Sequence, residues 1–196
     1  LRYVSERCEL GEQNESILAV TIPEQQGAFL GFCNQLDGRA ITEFNYRYSD
    51  SKKANIFVGV RTPQGFEELL GLTEKLTVAG YAVTDLSHDE TAKLHVRYMV
   101  GGVPSQQLTE RLYSFEFPEH PNALIKFLNQ LGVHANITLF HYRNHGAAYG
   151  QVLAGFEVNE QQVHEFSQHL NALGYSYKDE TLNPAYQYFL SHANDQ

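Results

Sequence analysis

Tryptophan is absent from the 196 residues, methionine occurs once, and cysteine twice, at Cys8 and Cys33. Two cysteines with no CxxC exclude a disulfide scaffold and a structural zinc site, and fit a reducing cytoplasmic setting. No apolar run approaches the roughly 20 residues that span a membrane. Positive charge is scarce: 14 Lys and Arg face 23 Asp and Glu, for a net charge of −9. That balance argues against nucleic-acid binding, which needs basic patches to displace counterions. There is no GxSxG, no P-loop, no GxGxxG and no HExxH, so no familiar nucleophile, phosphate or metal signature is present. The opening Leu-Arg-Tyr-Val-Ser-Glu-Arg has no apolar stretch of a signal peptide. Starting at Leu1 rather than Met reads as a processed chain or a piece of a longer one. What remains is 42% hydrophobic and 19% charged, enough for a real core in one large or two small domains.

The chain repeats itself once. Residues 18–36, LAVTIPEQQGAFLGFCNQL, align with residues 113–131, YSFEFPEHPNALIKFLNQL. After a one-residue insertion in the second copy, ITEFNYR (41–47) aligns with ITLFHYR (137–143). Twelve of these 26 positions are identical, where average residue frequencies give about two. Ala79-Gly80-Tyr81 is echoed by Leu173-Gly174-Tyr175, so the repeat runs through each half.

Each copy predicts the same elements. Leu18–Ile22 is a short strand ended by Pro23, and a helix follows from about Gly27, with Ala28, Phe29, Phe32, Cys33 and Leu36 on one face. Ile41–Tyr48 alternates, with Phe44, Tyr46 and Tyr48 on one side, and Asn55–Val60 is a further strand. Phe66–Val78 is a second helix and Tyr81–Leu86 a closing strand. The second copy follows with Tyr113–Phe117, Asn122–Leu131, Ile137–Arg143, Gln151–Val158, Gln162–Leu173 and Tyr175–Asp179. The order βαββαβ, twice, predicts an α+β protein of two tandem ferredoxin-like subdomains, each an antiparallel sheet with helices on one face. The boundary is placed near residue 103, giving 1–103 and 104–196, with Gly101-Gly102-Val103-Pro104 as hinge and an extra strand over 93–100.

The distinctive local feature is the turn after the first strand of each copy: Pro23-Glu24-Gln25-Gln26-Gly27, and Pro118-Glu119-His120-Pro121-Asn122. A helix start there presents free N–H groups to a carboxylate or phosphate. Gly27 admits close main-chain approach, Asn122 less easily. Glu24 or Glu119 offers a carboxylate to an ammonium group, and Phe29 and Leu124 an apolar slot. Together these suit an apolar α-amino acid, although spacing alone favours a plain capped turn. In the Phe-x-Tyr-Arg strands, alternation separates Tyr46 from Arg47 and Tyr142 from Arg143, and the simplest expectation is cross-strand packing plus a surface Arg. His141 and His145 lack a third ligand at a telling distance. Asp89-Glu90 and Asp179-Glu180 read as solvated charges at element ends.

The βαββαβ unit with this turn resembles the ACT domain. The strings YVSERCELGEQ (3–13), TEFNYRYSD (42–50), IFVGVR (56–61), AKLHVRYMVGG (92–102) and ERLYSFEFPE (110–119) are similar to the C-terminal regulatory region of biosynthetic threonine deaminase. The resemblance covers Leu1 to about Leu190. It implies a non-catalytic regulatory piece of a cytoplasmic pyridoxal-phosphate enzyme of isoleucine biosynthesis, with that cofactor in a separate catalytic domain of the same polypeptide. It also implies isoleucine as feedback inhibitor, valine as opposing activator, and a homotetrameric parent. The resemblance places the effector response at Phe29, Arg39 and Tyr46 in the first copy, and at Pro118, Glu119, Asn122, Leu124 and Tyr142 in the second. Asn122 departs from the glycine usual there. The competing expectation is a structural oligomerisation module without its own ligand site, for which aromatic-rich strands would suit edge pairing. An RNA-binding module of the same element order would need an RNP1 string, and none occurs.

Overall fold

The computed structural model describes residues 15–48, 52–94, 96–98, 109–118, 120, 122–143 and 149–191. The first copy runs β1 (Glu15–Pro23), α1 (Ala28–Asn34), β2 (Ile41–Arg47), β3 (Lys53–Arg61), α2 (Phe66–Val78) and β4 (Ala82–Asp85). The second runs β5 (Glu110–Pro118), α4 (Ala123–Phe127) continuing into a π-helical turn (Leu128–Gly132), β6 (Asn136–Arg143), β7 (Tyr149–Glu157), α5 (Val163–Leu173) and β8 (Ser176–Asp179). The expected element order is therefore present twice. Short helices follow each copy: α3 (Glu90–Leu94) with a 3-10 turn at Val96–Tyr98, and α6 (Pro184–Phe189).

The two copies share one eight-stranded antiparallel sheet, ordered β4-β1-β3-β2-β6-β7-β5-β8. β2 and β6 pair at its centre, with Phe44 opposite Tyr142 and Tyr46 opposite Phe140. Side chains alternate across a strand, so Phe44, Tyr46 and Phe140 join the principal core while Glu43, Asn45 and Arg47 point to the other face. α1, α2, α4 and α5 pack on the core face through Phe29, Phe32, Leu72, Phe127, Phe166 and Leu170. Aromatic rings cross the seam between copies: Phe44 meets Phe140 edge-on at 5.6 Å, and Phe29 meets Phe140 at 6.0 Å. Such pairs add to the energy of area burial itself.

The opposite face is covered as well. Ala92 of α3 packs on Ile17 and Phe57, and Tyr186 of α6 on Leu112 and Leu139. In place of the strand expected over 93–100, the described residues 93, 94 and 96–98 lie in α3 and the 3-10 turn. The Asp89 carboxylate accepts the Ala92 N–H at 2.9 Å and so caps the start of α3. Asp89 is exposed at the end of an element, as expected, and also serves as a cap. Glu180 also works locally, accepting from Asn183 Nδ2 at 2.9 Å and from Lys178 at 2.9 Å. The expected hinge, Gly101–Pro104, lies outside the described residues.

Arg47 is not a surface residue. It is buried on the far face, where its guanidinium donates to both Glu110 oxygens at 2.7 and 3.1 Å and to the Leu190 carbonyl at 2.6 Å. Glu110 also accepts from the Tyr186 hydroxyl at 2.6 Å and from the Thr138 hydroxyl. The pair joins β2 of one copy to β5 of the other. A Cβ at Gly155 would lie 2.7 Å from Glu110 Oε1 and 2.8 Å from Thr138 Oγ1, so glycine there makes room for this cluster. Buried charges of this kind persist because each is paired and hydrogen-bonded.

Candidate functional site

Both turns singled out in the sequence open onto the seam between copies. In the first, the chain leaves β1 at Pro23 and enters α1 through Gly27, whose φ of 82° is left-handed and suited to glycine. Gln25 N–H bonds back to the Pro23 carbonyl at 3.0 Å, and Ala28 N–H to the Gln25 carbonyl at 3.1 Å. In the second turn, His120 N–H bonds to the Pro118 carbonyl at 2.9 Å and Ala123 N–H to the His120 carbonyl at 3.0 Å. The same two hydrogen bonds recur, but Asn122 takes φ −97° where Gly27 is left-handed. Glu119 lies outside the described residues.

Each turn faces the opposite copy. Glu24, Gly27, Phe29 and Tyr46 share a cavity with Leu128, Gly132, Asn136 and Ile137. Pro118, Asn122, Leu124 and Tyr142 share another with Cys33, Leu36, Arg39 and Ile41. The two walls are repeat-mates, exchanged. Arg39, singled out with the first copy, therefore stands on the wall of the second cavity. There its Nε meets Glu68 at 3.1 Å and its Nη1 donates to the Leu36 carbonyl at 3.2 Å.

The two cavities differ in size. The first has a volume of about 10 Å³ and the second about 470 Å³. The first holds at most about one water, while the second is in the roughly 300–1,000 Å³ range of ligand pockets. Phe29 and Tyr46 fill the first: their rings meet edge-on at 4.6 Å, and the Tyr46 hydroxyl donates to Glu24 Oε1. Burial first, and then the Glu24 carboxylate, hold the Tyr46 phenol well above its ordinary value, so it stays a donor at neutral pH. In the second copy Leu124 stands where Phe29 stands in the first. Tyr142 lies against Phe117 at 6.2 Å. It also lies over Gly150, where a Cβ would fall 2.7 Å from its ring. The repeat-mate of Gly150 is Ala54, so a side chain occupies that place in the first copy. Cys33 lines the second cavity, and burial pushes its thiol up to about 12. It is a neutral apolar lining there, not a nucleophile.

Sequence reasoning placed the two turns but missed their partners in the opposite copy, as well as Gln26, Cys33 and Gly150. Comparing Ala54 with Gly150 within the repeat was the available signal. Among the described residues no group of three His, Cys, Asp or Glu side chains is arranged to hold a metal. His141 is exposed, and His145 lies outside the described residues.

The family described as the C-terminal regulatory domain of threonine dehydratase matches this chain twice, over residues 6–96 and 101–190. The chain belongs to that family. Its relatives among threonine dehydratases are close. L-threonine dehydratase biosynthetic IlvA of Escherichia coli (strain K12) is 62% identical over 191 residues, covering 97% of this chain and 37% of that protein. The corresponding Salmonella typhimurium protein is also 62% identical over 191 residues, with 97% and 37% covered. The mitochondrial threonine dehydratase of Saccharomyces cerevisiae is 43% identical over 200 residues, with 98% of this chain and 34% of that protein covered. The chain thus spans little more than a third of the length of these threonine dehydratases. No helix among the described residues is long and apolar enough to cross a membrane.

Proposed function

We propose that this chain is the effector-sensing part of a pyridoxal-phosphate-dependent threonine ammonia-lyase, taking isoleucine as feedback inhibitor and valine as activator. Its two subdomains meet near residue 103, and its partners are a catalytic domain of the same polypeptide and further copies in a cytoplasmic homotetramer. One observation carries the reading: two cavities at the seam, built from exchanged repeat-mates, of which the second is open and lined by Leu36, Ile41 and Leu124 beside Asn122 and Arg39. An apolar slot beside polar and cationic groups matches the two ends of an aliphatic amino acid. The site residues we assign are Glu24, Gly27, Phe29 and Tyr46 for the first cavity. For the second they are Arg39, Pro118, Glu119, Asn122, Leu124 and Tyr142.

Isoleucine and valine differ by one methylene, which a hydrophobic pocket discriminates by only about 1–3 kcal/mol. Opposite effects therefore need two sites or two states, and two unequal cavities meet that need. A ligand that binds one arrangement of the seam better shifts the population toward it, with couplings of roughly 1–3 kcal/mol. Pyridoxal phosphate does not fit either cavity, since among the described residues neither is lined by the lysine that would hold it. The chemistry that cofactor supplies belongs to the catalytic domain. Against the scaffold alternative, the aromatic strands β2 and β6 already pair with each other at the centre of the sheet. Titration calorimetry of this chain with L-isoleucine and L-valine tests the reading: saturable heat with each supports it, and heat with neither refutes it.

A further inference from the structure

The inequality of the two cavities has a second source besides Phe29 and Gly150. The repeat carries one extra residue in its second copy, between the helix and the strand that follows. The helix absorbs it as the π-helical turn Leu128–Gly132, which α1 lacks. Single inserted residues produce such wide turns, often at functional places. This turn ends at Gly132, which lines the first cavity, and the carbonyl of the next residue, Val133, accepts from Gln26 Nε2 at 2.6 Å on the exposed side. The bond ties the entry turn of one copy to the cavity wall of the other, across 107 residues of sequence. The repeat-mate of Gln26 is Pro121, which has no side-chain N–H to give. The tied cavity is the one of about 10 Å³ and the untied one measures about 470 Å³.

We propose that Gln26 is a positioning residue that clasps the first cavity shut by holding the inserted turn of the opposite copy. The proposal rests on the effector reading above, and it adds a gate to one site only. A site that binds ligand only when open has its affinity reduced by the open fraction. Releasing the clasp raises that fraction and tightens binding at the first site, while the second is untouched.

The test uses the 196-residue chain with Gln26→Ala and Gln26→Glu; the glutamate keeps the length but cannot donate. Amide hydrogen exchange at His134 and Ala135, both bonded to the Leu131 carbonyl, reports opening of the turn. One net hydrogen bond corresponds to a roughly three- to tenfold faster exchange in both variants. Calorimetry with L-isoleucine then reads one site tightened by a similar factor and the other unchanged. Unchanged exchange in either variant overturns the proposal. So does faster exchange with neither site's affinity altered while heat is observed. Faster exchange with no heat from isoleucine or valine in any form leaves the clasp standing and removes the effector reading instead.

Discussion

Arg47→Met removes the cation from the buried pair that joins the copies. In the native chain the Arg47 and Glu110 side chains retain 5% and 4% of their exposure, and two parallel N–H···O bonds of 2.7 and 3.1 Å connect them. An exposed pair at such distances would contribute about 0–1 kcal/mol. A buried pair is different: losing one partner strands the other, at about 3–5 kcal/mol. Glu110 keeps the Tyr186 and Thr138 hydroxyls, which soften the loss, so about 3 kcal/mol is expected. Adding Glu110→Gln to the variant removes the stranded charge and recovers part of the loss. Urea unfolding at pH 7 measures both. A deficit under about 1 kcal/mol, or no recovery in the double variant, refutes the claim that the seam is held by a buried charge pair.

Other outcomes follow from the same geometry. Tyr46→Phe, which keeps the edge-on ring contact with Phe29 but loses the hydroxyl to Glu24, should cost about 1–3 kcal/mol in urea unfolding and leave the second site's affinity unchanged. Gly150→Ala, whose Cβ meets the Tyr142 ring, should lower stability by about 1–3 kcal/mol and weaken isoleucine binding at the second site alone in calorimetry. Cys33, pushed up to about 12 from 9.0, holds its proton in the folded state where the unfolded chain has lost it. Stability should be level below pH 9 in this respect and fall by up to ~1.4 kcal/mol per pH unit between 9 and 12, and iodoacetamide at pH 8 should modify Cys33 only in urea.

Much of the fold was legible because local patterns and long-range packing agree. The repeat, the Pro23 and Pro118 strand ends, and the apolar faces of α2 and α5 each point to the same βαββαβ unit. What was not legible depends on which edges meet. Nothing local says that β2 pairs with β6, so nothing local joins two four-stranded sheets into one. The alternation Glu43, Asn45, Arg47 reads as a wet face, yet all three are buried. Arg97 covers Glu43, while Tyr186 and Leu190 close over the Arg47 pair. The candidate site was half legible for the same reason. Each turn was found where it stands, but each cavity takes its other wall from the opposite copy.

The most direct test is titration calorimetry of this chain with L-isoleucine and then L-valine, with D-isoleucine as control. The account predicts saturable, stereospecific heat from two unequal sites, one preformed and one gated. Equal heats from the two enantiomers, or none from either L-amino acid, would contradict it.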